Sequence, residues 1–236
     1  MRHPISRSSI AAALASLVLA ACGGADARPA AGDDAAPMLA TLASPPGAGS
    51  ERLRAGDLAG ARATFEAALA QDPDRLAALN DLAVSYLLEG HADAARRLLD
   101  EVVASGTARE QQAALVNLGE LYAAEGYLSA ARAYLETARA IEPARPEPWY
   151  ALALLADGRG EREQAASALA EALRLDDGGA ARAAFAYVFP EERVHLEALV
   201  AEAAGDRALA GTRWRELSGS RFASLAAAAE RHLVGE

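Results

Sequence analysis

The chain contains no lysine and a single cysteine in 236 residues, and aromatic side chains make up only 5% of it. With Cys22 alone, no disulfide can close within the chain and no cysteine cluster can bind a metal. All positive charge is arginine, and 23 basic against 33 acidic residues leave a formal charge of −10. An acidic chain without a basic stripe is a poor nucleic-acid binder, and charge does not hold it to anionic lipid heads. His91, His195 and His232 are scattered, with no Cys, His or Asp cluster at metal-ligand spacing. No glycine-rich phosphate loop and no G-x-S-x-G elbow occurs. Asp33-Asp34 and Asp176-Asp177 read as solvated termini and caps rather than catalytic pairs. Nothing here assembles a reaction, a metal site or a cofactor pocket, so the expectation is a protein without catalysis or small-molecule substrate.

The apolar run before the cysteine, Ile10 to Ala21, has 12 residues. That is too short for a permanent span, which needs about 20. It follows Arg2, His3 and Arg7, as the h-region of an export signal follows its charged n-region. Residues 1–21 thus read as a signal peptide. Its end, Leu19-Ala20-Ala21-Cys22, resembles the lipobox of bacterial lipoproteins. The resemblance implies cleavage before Cys22 and acylation of its thiol, leaving palmitate-type chains to anchor the protein. The mature chain would then have 215 residues and, without Arg2 and Arg7, a charge of −12. Gly23 stands where an aspartate retains lipoproteins in the inner membrane of well-studied bacteria. Its presence points to the outer membrane, facing the periplasm.

Residues 22–50 are rich in Gly, Ala, Pro and Asp without a sustained period, which predicts a flexible tether with a reach of roughly 25–30 Å. Beyond it the chain repeats. Gly56, Gly90, Gly126, Gly160 and Gly205 are spaced by 34, 36, 34 and 45 residues. Five residues after each comes alanine: Ala61, Ala95, Ala131, Ala165 and Ala210. Four further on comes a bulky residue: Phe65, Leu99, Leu135, Leu169 and Trp214. Three beyond that stands Ala68, Val102, Ala138, Ala172 or Leu217. A period near 34 with helical internal spacing predicts stacked helical hairpins. Small residues let paired helices approach, glycine makes the turn between them, and proline ends the unit.

Leu118-Gly119, Tyr122, Gly126, Ala131, Leu135, Ala138 and Pro143 of the third unit resemble the tetratricopeptide repeat, and Trp149 with Leu152 opens the fourth in the same way. The first unit lacks a full first helix because Pro45 and Pro46 interrupt it. The resemblance implies an all-α, right-handed superhelix of antiparallel helix pairs, about five repeats over residues 51–217, with ten to twelve helices and no sheet. Residues 218–236 would form a capping helix. Eleven extra residues separate the fourth and fifth units, predicting an added helix at about 180–190 that carries Phe185, Tyr187 and Phe189. These aromatics either plug the step between units or form a second docking patch.

In such arrays the first helix of each unit lines a concave groove that binds a partner segment. The positions that match are Asn80, Val84 and Leu87, then Val116, Glu120 and Ala123. Tyr150, Leu154 and Asp157 follow, then His195, Leu199 and Glu202. None is basic, which argues against capture of C-terminal carboxylates and favours an apolar or basic segment of another protein. The resemblance implies an interaction scaffold among envelope proteins, such as the assembly factors of pili, gliding-motility complexes or outer-membrane proteins. An accessory regulator of a cell-wall hydrolase, or an enzyme, is the alternative.

Overall fold

The computed structural model describes residues 39–187 and 189–234. Cys22, the signal segment and most of the expected tether lie outside them. Helices form five successive units. Unit one is α1 (Ala48–Arg54) and α2 (Leu58–Gln71); unit two is α3 (Leu76–Leu88) and α4 (Ala92–Ser105). Unit three is α5 (Ala108–Ala124) and α6 (Leu128–Ile141); unit four is α7 (Glu147–Gly158) and α8 (Arg162–Leu175). A short helix, α9 (Ala180–Ala184), precedes unit five, α10 (Pro190–Ala203) and α11 (Arg207–Leu217), and α12 (Ala223–Val234) ends the array. Each helix packs on the next within the units, and first helices of neighbouring units also touch: α3 on α5, α5 on α7, α7 on α10. The twelve helices among the described residues match the number expected.

The periodic glycines make the turns within units. Gly126 has φ +83°, and its four counterparts are also left-handed. Its N–H donates to Ala123 at 2.9 Å, and the Tyr127 N–H reaches back to Tyr122 at 2.8 Å. That double closure satisfies the last carbonyls of α5 and reverses the chain. Gly119 acts differently, by allowing close packing. A Cβ there would lie 2.7 Å from Leu135 Cδ2 and 3.2 Å from the Ala131 carbonyl, so α5 and α6 can approach only around glycine. Ala131, Leu135 and Ala138 on the facing stripe are all buried, as are most of their counterparts in other units. Between units, Arg62 pairs with Glu89 at 2.8 Å and Arg96 with Glu125 at 2.6 Å, and Arg132 pairs with Glu161 in the same way. The second helix of one unit is thus pinned to the turn of the next.

Three expectations need correction. A small sheet exists: β1 (Leu39–Ala40) pairs antiparallel with β2 (Ala186–Tyr187), with Leu39 opposite Tyr187 and Ala40 opposite Ala186. The expected tether does not reach residue 50, since Leu39, Ala40, Thr41 and Ala43 are buried and α1 begins at Ala48. The added helix stops at Ala184, so Phe185 and Tyr187 lie on extended chain instead.

Candidate functional site: the concave face and its occupants

The projected groove positions do fall on the inner helices α3, α5, α7 and α10, but they do not form an open surface. Asn80, Val84, Leu87, Val116, Glu120, Tyr150, Leu154, His195 and Leu199 are each at most 5% exposed. Three parts of the same chain cover them.

The first cover is the segment Leu39–Ser44, which lies over units two and three. Asn117 Oδ1 accepts the Thr41 N–H at 2.7 Å, while Asn117 Nδ2 and Asn80 Nδ2 both donate to the Thr41 carbonyl at 3.0 Å. Asp81 accepts the Ala43 and Ser44 N–H groups at 2.7 and 3.1 Å. The Leu39 backbone bonds Glu120. Most of these contacts are made to main chain, with the Ser44 side chain also bonding Asp81, so the face reads mainly an extended backbone. Burial pushes the Asp81 carboxyl above its ordinary range, and the hydrogen bonds it accepts offset part of this. Val84 joins Ala40 and Leu42 in one apolar cluster.

The second cover is the step between units four and five. Asp176 accepts the Tyr150 hydroxyl at 3.1 Å and the Ala181 N–H at 2.8 Å, and Arg182 donates to the same hydroxyl at 3.3 Å. Phe185 stands edge-on to Tyr150 with centroids 5.7 Å apart. Tyr150 is therefore held within its own chain, and its hydroxyl pKa is pushed to about 12, burial being the main cause. Phe185 is core. Phe189 packs on Phe222 at 5.0 Å, and half-buried Tyr187 faces a cleft. The three aromatics mainly plug the step.

The third cover is α12. Buried Asp157 accepts from His195 Nε2 at 2.7 Å and from His232 Nε2 at 2.8 Å. His232 Nδ1 meets Glu202 at 2.9 Å, and the Trp214 indole N–H donates to that carboxylate at 2.7 Å. The His232 ring stacks on Trp214 at 4.1 Å. Burial opposes a charge on His232, but the bonds to Asp157 and Glu202 outweigh it and lift its pKa to about 9. Burial likewise opposes ionisation of Asp157, yet the two histidines hold its pKa well below the carboxylate range. The network is closed among protein groups, and it clamps the cap onto units four and five. His91, by contrast, stands at an intra-unit turn at the start of α4. No group of three or more His, Cys, Asp or Glu among the described residues could hold a metal.

Glu120 and Glu192 form a further buried pair that lines one small cavity of about 90 Å³. Burial raises both, Glu192 to about 8, and the charge of Glu192 adds to the rise at Glu120. Sequence reasoning placed Glu120 but not Glu192 or Asp81 among the inner-face groups. The unusual density of polar residues in otherwise apolar helices, Asn80-Asp81 and Asn117, was the available signal.

Models of the tetratricopeptide repeat match residues 52–119 and 113–145. A search of curated proteins gives no significant match. Among solved structures, the chain is similar to a thermophilic TPR protein of Thermus thermophilus, with 24% identity, a TM-score of 0.53, and coverage of 79% of this chain and 95% of that one. It is also similar to MamA, with 21% identity and a TM-score of 0.42, over 80% of this chain and 99% of that one. The chain carries tetratricopeptide repeats in an all-α solenoid, a fold that generally mediates binding between proteins.

Proposed function

We propose that this chain is a lipid-anchored scaffold of the bacterial cell envelope, held at an acylated Cys22 on the outer membrane and facing the periplasm. It binds an extended segment of another envelope protein on its inner face and carries out no catalysis. The observation that supports binding is the grip of Asn80, Asp81 and Asn117 on the main chain of Thr41, Ala43 and Ser44. A surface that pairs with backbone on units two and three suits any strand of matching shape. The segment Leu39–Ser44 then acts as a resident competitor, and a partner strand replaces it. The support for the anchor is the Leu19-Ala20-Ala21-Cys22 motif behind its charged and apolar flanks.

Two variants test the reading. Cys22→Ser should leave the membrane fraction or stay uncleaved; a processed Cys22→Ser protein still in membranes would sink the anchor. Thr41→Pro removes the N–H that Asn117 accepts and loosens the resident segment. With a photo-crosslinking residue at Val84, on the face beneath the segment, crosslinks to a second envelope protein in intact cells should increase in Thr41→Pro. An unchanged or smaller yield from a folded variant would show that the segment is only structural.

A further inference from the structure

The two ends of the array face each other across a cleft of about 980 Å³. Arg54 at the end of α1, Arg182 in α9, Arg193 on α10 and Arg213 on α11 line it, against two carboxylates, Glu197 and Asp206. Both carboxylates are engaged. Glu197 pairs with Arg213 at 2.8 Å, and Asp206 caps α11 by accepting the Leu209 N–H at 3.0 Å. The other three arginines have no carboxylate partner among the described residues. Arg54 reaches only Ser50 Oγ at 3.5 Å, Arg182 donates to the Tyr150 hydroxyl, and Arg193 lies 5.9 Å from the centre of the Tyr187 ring. In a chain of charge −10, this cleft thus gathers three guanidiniums that no carboxylate of the described residues neutralises.

The walls between these charges are apolar. Leu196 is buried beneath the cleft, Val200 is half-buried, and Leu209 is 42% exposed. Leu209 is one of two large apolar side chains left exposed among the described residues. Apolar walls lower the local dielectric and strengthen whatever charge meets the arginines. Guanidinium forks bind carboxylates in pairs of parallel bonds, which favours Asp and Glu side chains.

We propose that this cleft is a docking site for an acidic segment of a partner protein that also carries aliphatic or aromatic side chains. Carboxylates of the segment pair with Arg54, Arg182 and Arg193, and its apolar residues cover Val200, Leu209 and Tyr187. The site adjoins the face that grips Thr41, since Ala186 and Tyr187 line the cleft and pair with Ala40 and Leu39, and it is open with Leu39–Ser44 in place.

A random twelve-residue peptide library displayed on phage tests this against the full chain immobilised in mild detergent. Selected clones should be rich in Asp or Glu together with Leu, Phe or Tyr. Their binding should weaken roughly tenfold in the doubly substituted Arg54→Gln, Arg193→Gln chain and fall with added salt. Arg54→Lys with Arg193→Lys should bind between the wild type and the glutamine variant, because the charge stays but the paired bonds are lost, and Arg174→Gln, outside the cleft, should change nothing. Equal helicity and melting temperature of the double variant rule out misfolding, since both arginines are exposed. No enriched clones, neutral or basic clones, or clones that the glutamine variant retains would overturn the proposal. So would two other results. Dimerisation of the wild type that the glutamine variant loses would assign the cleft to a second copy. Clones recovered only when Asp33 and Asp34 are changed to Asn would assign it to the chain's own N-terminal acidic residues.

Discussion

Asn80 and Asn117, at matching positions of adjacent units, share one carbonyl: both amides donate to Thr41 O at 3.0 Å, and Asn117 Nδ2 also donates to Asn80 Oδ1 at 3.0 Å. Both side chains are fully buried. The two units are thus joined through a residue 39 positions upstream of the nearer one.

Asn117→Ala should leave the Thr41 N–H and its carbonyl short of partners in a buried setting, at a cost of about 1–3 kcal/mol. Amide hydrogen exchange should accelerate at Thr41 and Ala43 well before it does in α5. Thr41→Val should act in the opposite direction. The buried Thr41 Oγ1 has no hydrogen-bond partner among the described residues, so an isosteric methyl should stabilise by about 1 kcal/mol. A destabilised Thr41→Val would reveal a partner for that hydroxyl.

Leu135 fills the gap beside Gly119 and is 1% exposed. Leu135→Ala should lose about 2–4 kcal/mol in denaturant unfolding through transfer and cavity terms. Gly119→Val should be at least as damaging, because its side chain would enter the space that Leu135 occupies. Full stability in Gly119→Val would mean that α5 and α6 can separate without loss.

The periodic parts of this fold were legible in the sequence. Gly126, Ala131 and Leu135 recur because each unit solves the same turn and the same close packing, and the structure places all three as expected. The inner face was legible as a set of positions but not as a state. Helical spacing put Val116, Glu120, Tyr150 and Leu154 on one stripe of the first helices, and the structure buries all four. What covers them depends on contacts with distant parts of the chain, Thr41 on Asn117 and Phe185 on Tyr150, which no periodicity encodes. The segment around Leu39 was read as tether because Pro, Gly and Ala dominate its surroundings. Its order comes from polar groups of α3 and α5, not from its own composition.

His232 clamps α12, and its pKa of about 9 lies above the unfolded value of about 6.5. Its contribution is full below about pH 6.5 and is lost as pH rises through 9. The stacked Trp214 should report this directly. In a Trp149→Phe background, indole emission should rise between pH 8 and 10 as the imidazolium loses its charge. His232→Gln should abolish that transition and lower stability at pH 6 by roughly 2 kcal/mol. A transition near pH 6.5 instead would show that Asp157 and Glu202 do not hold the charged ring.

Glu192 gives the fold a second pH dependence in a neighbouring window. Its folded pKa of about 8 exceeds the unfolded carboxyl value of about 4.5, so the fold favours the protonated form. The stability tied to that proton is present below pH 4.5 and declines as pH rises through 8. Above that, the Glu192 carboxylate is left buried beside Glu120 in a cavity of about 90 Å³, and its charge makes Glu120 hold its proton more tightly. An uncompensated buried charge there strains α10 and its packing on α5. Glu192→Gln keeps the shape and removes the titration. At pH 8.5 it should be clearly more stable than the wild type, while at pH 4.5 the two should be nearly equal. Combining it with His232→Gln separates the effects, because only the histidine step survives in the single Glu192→Gln chain. Exchange at the Leu39 amide should slow at pH 8.5 in Glu192→Gln if the pair governs the N-terminal segment. A stability profile for Glu192→Gln that parallels the wild type from pH 5 to 9 would mean that Glu192 is already ionised in the folded chain.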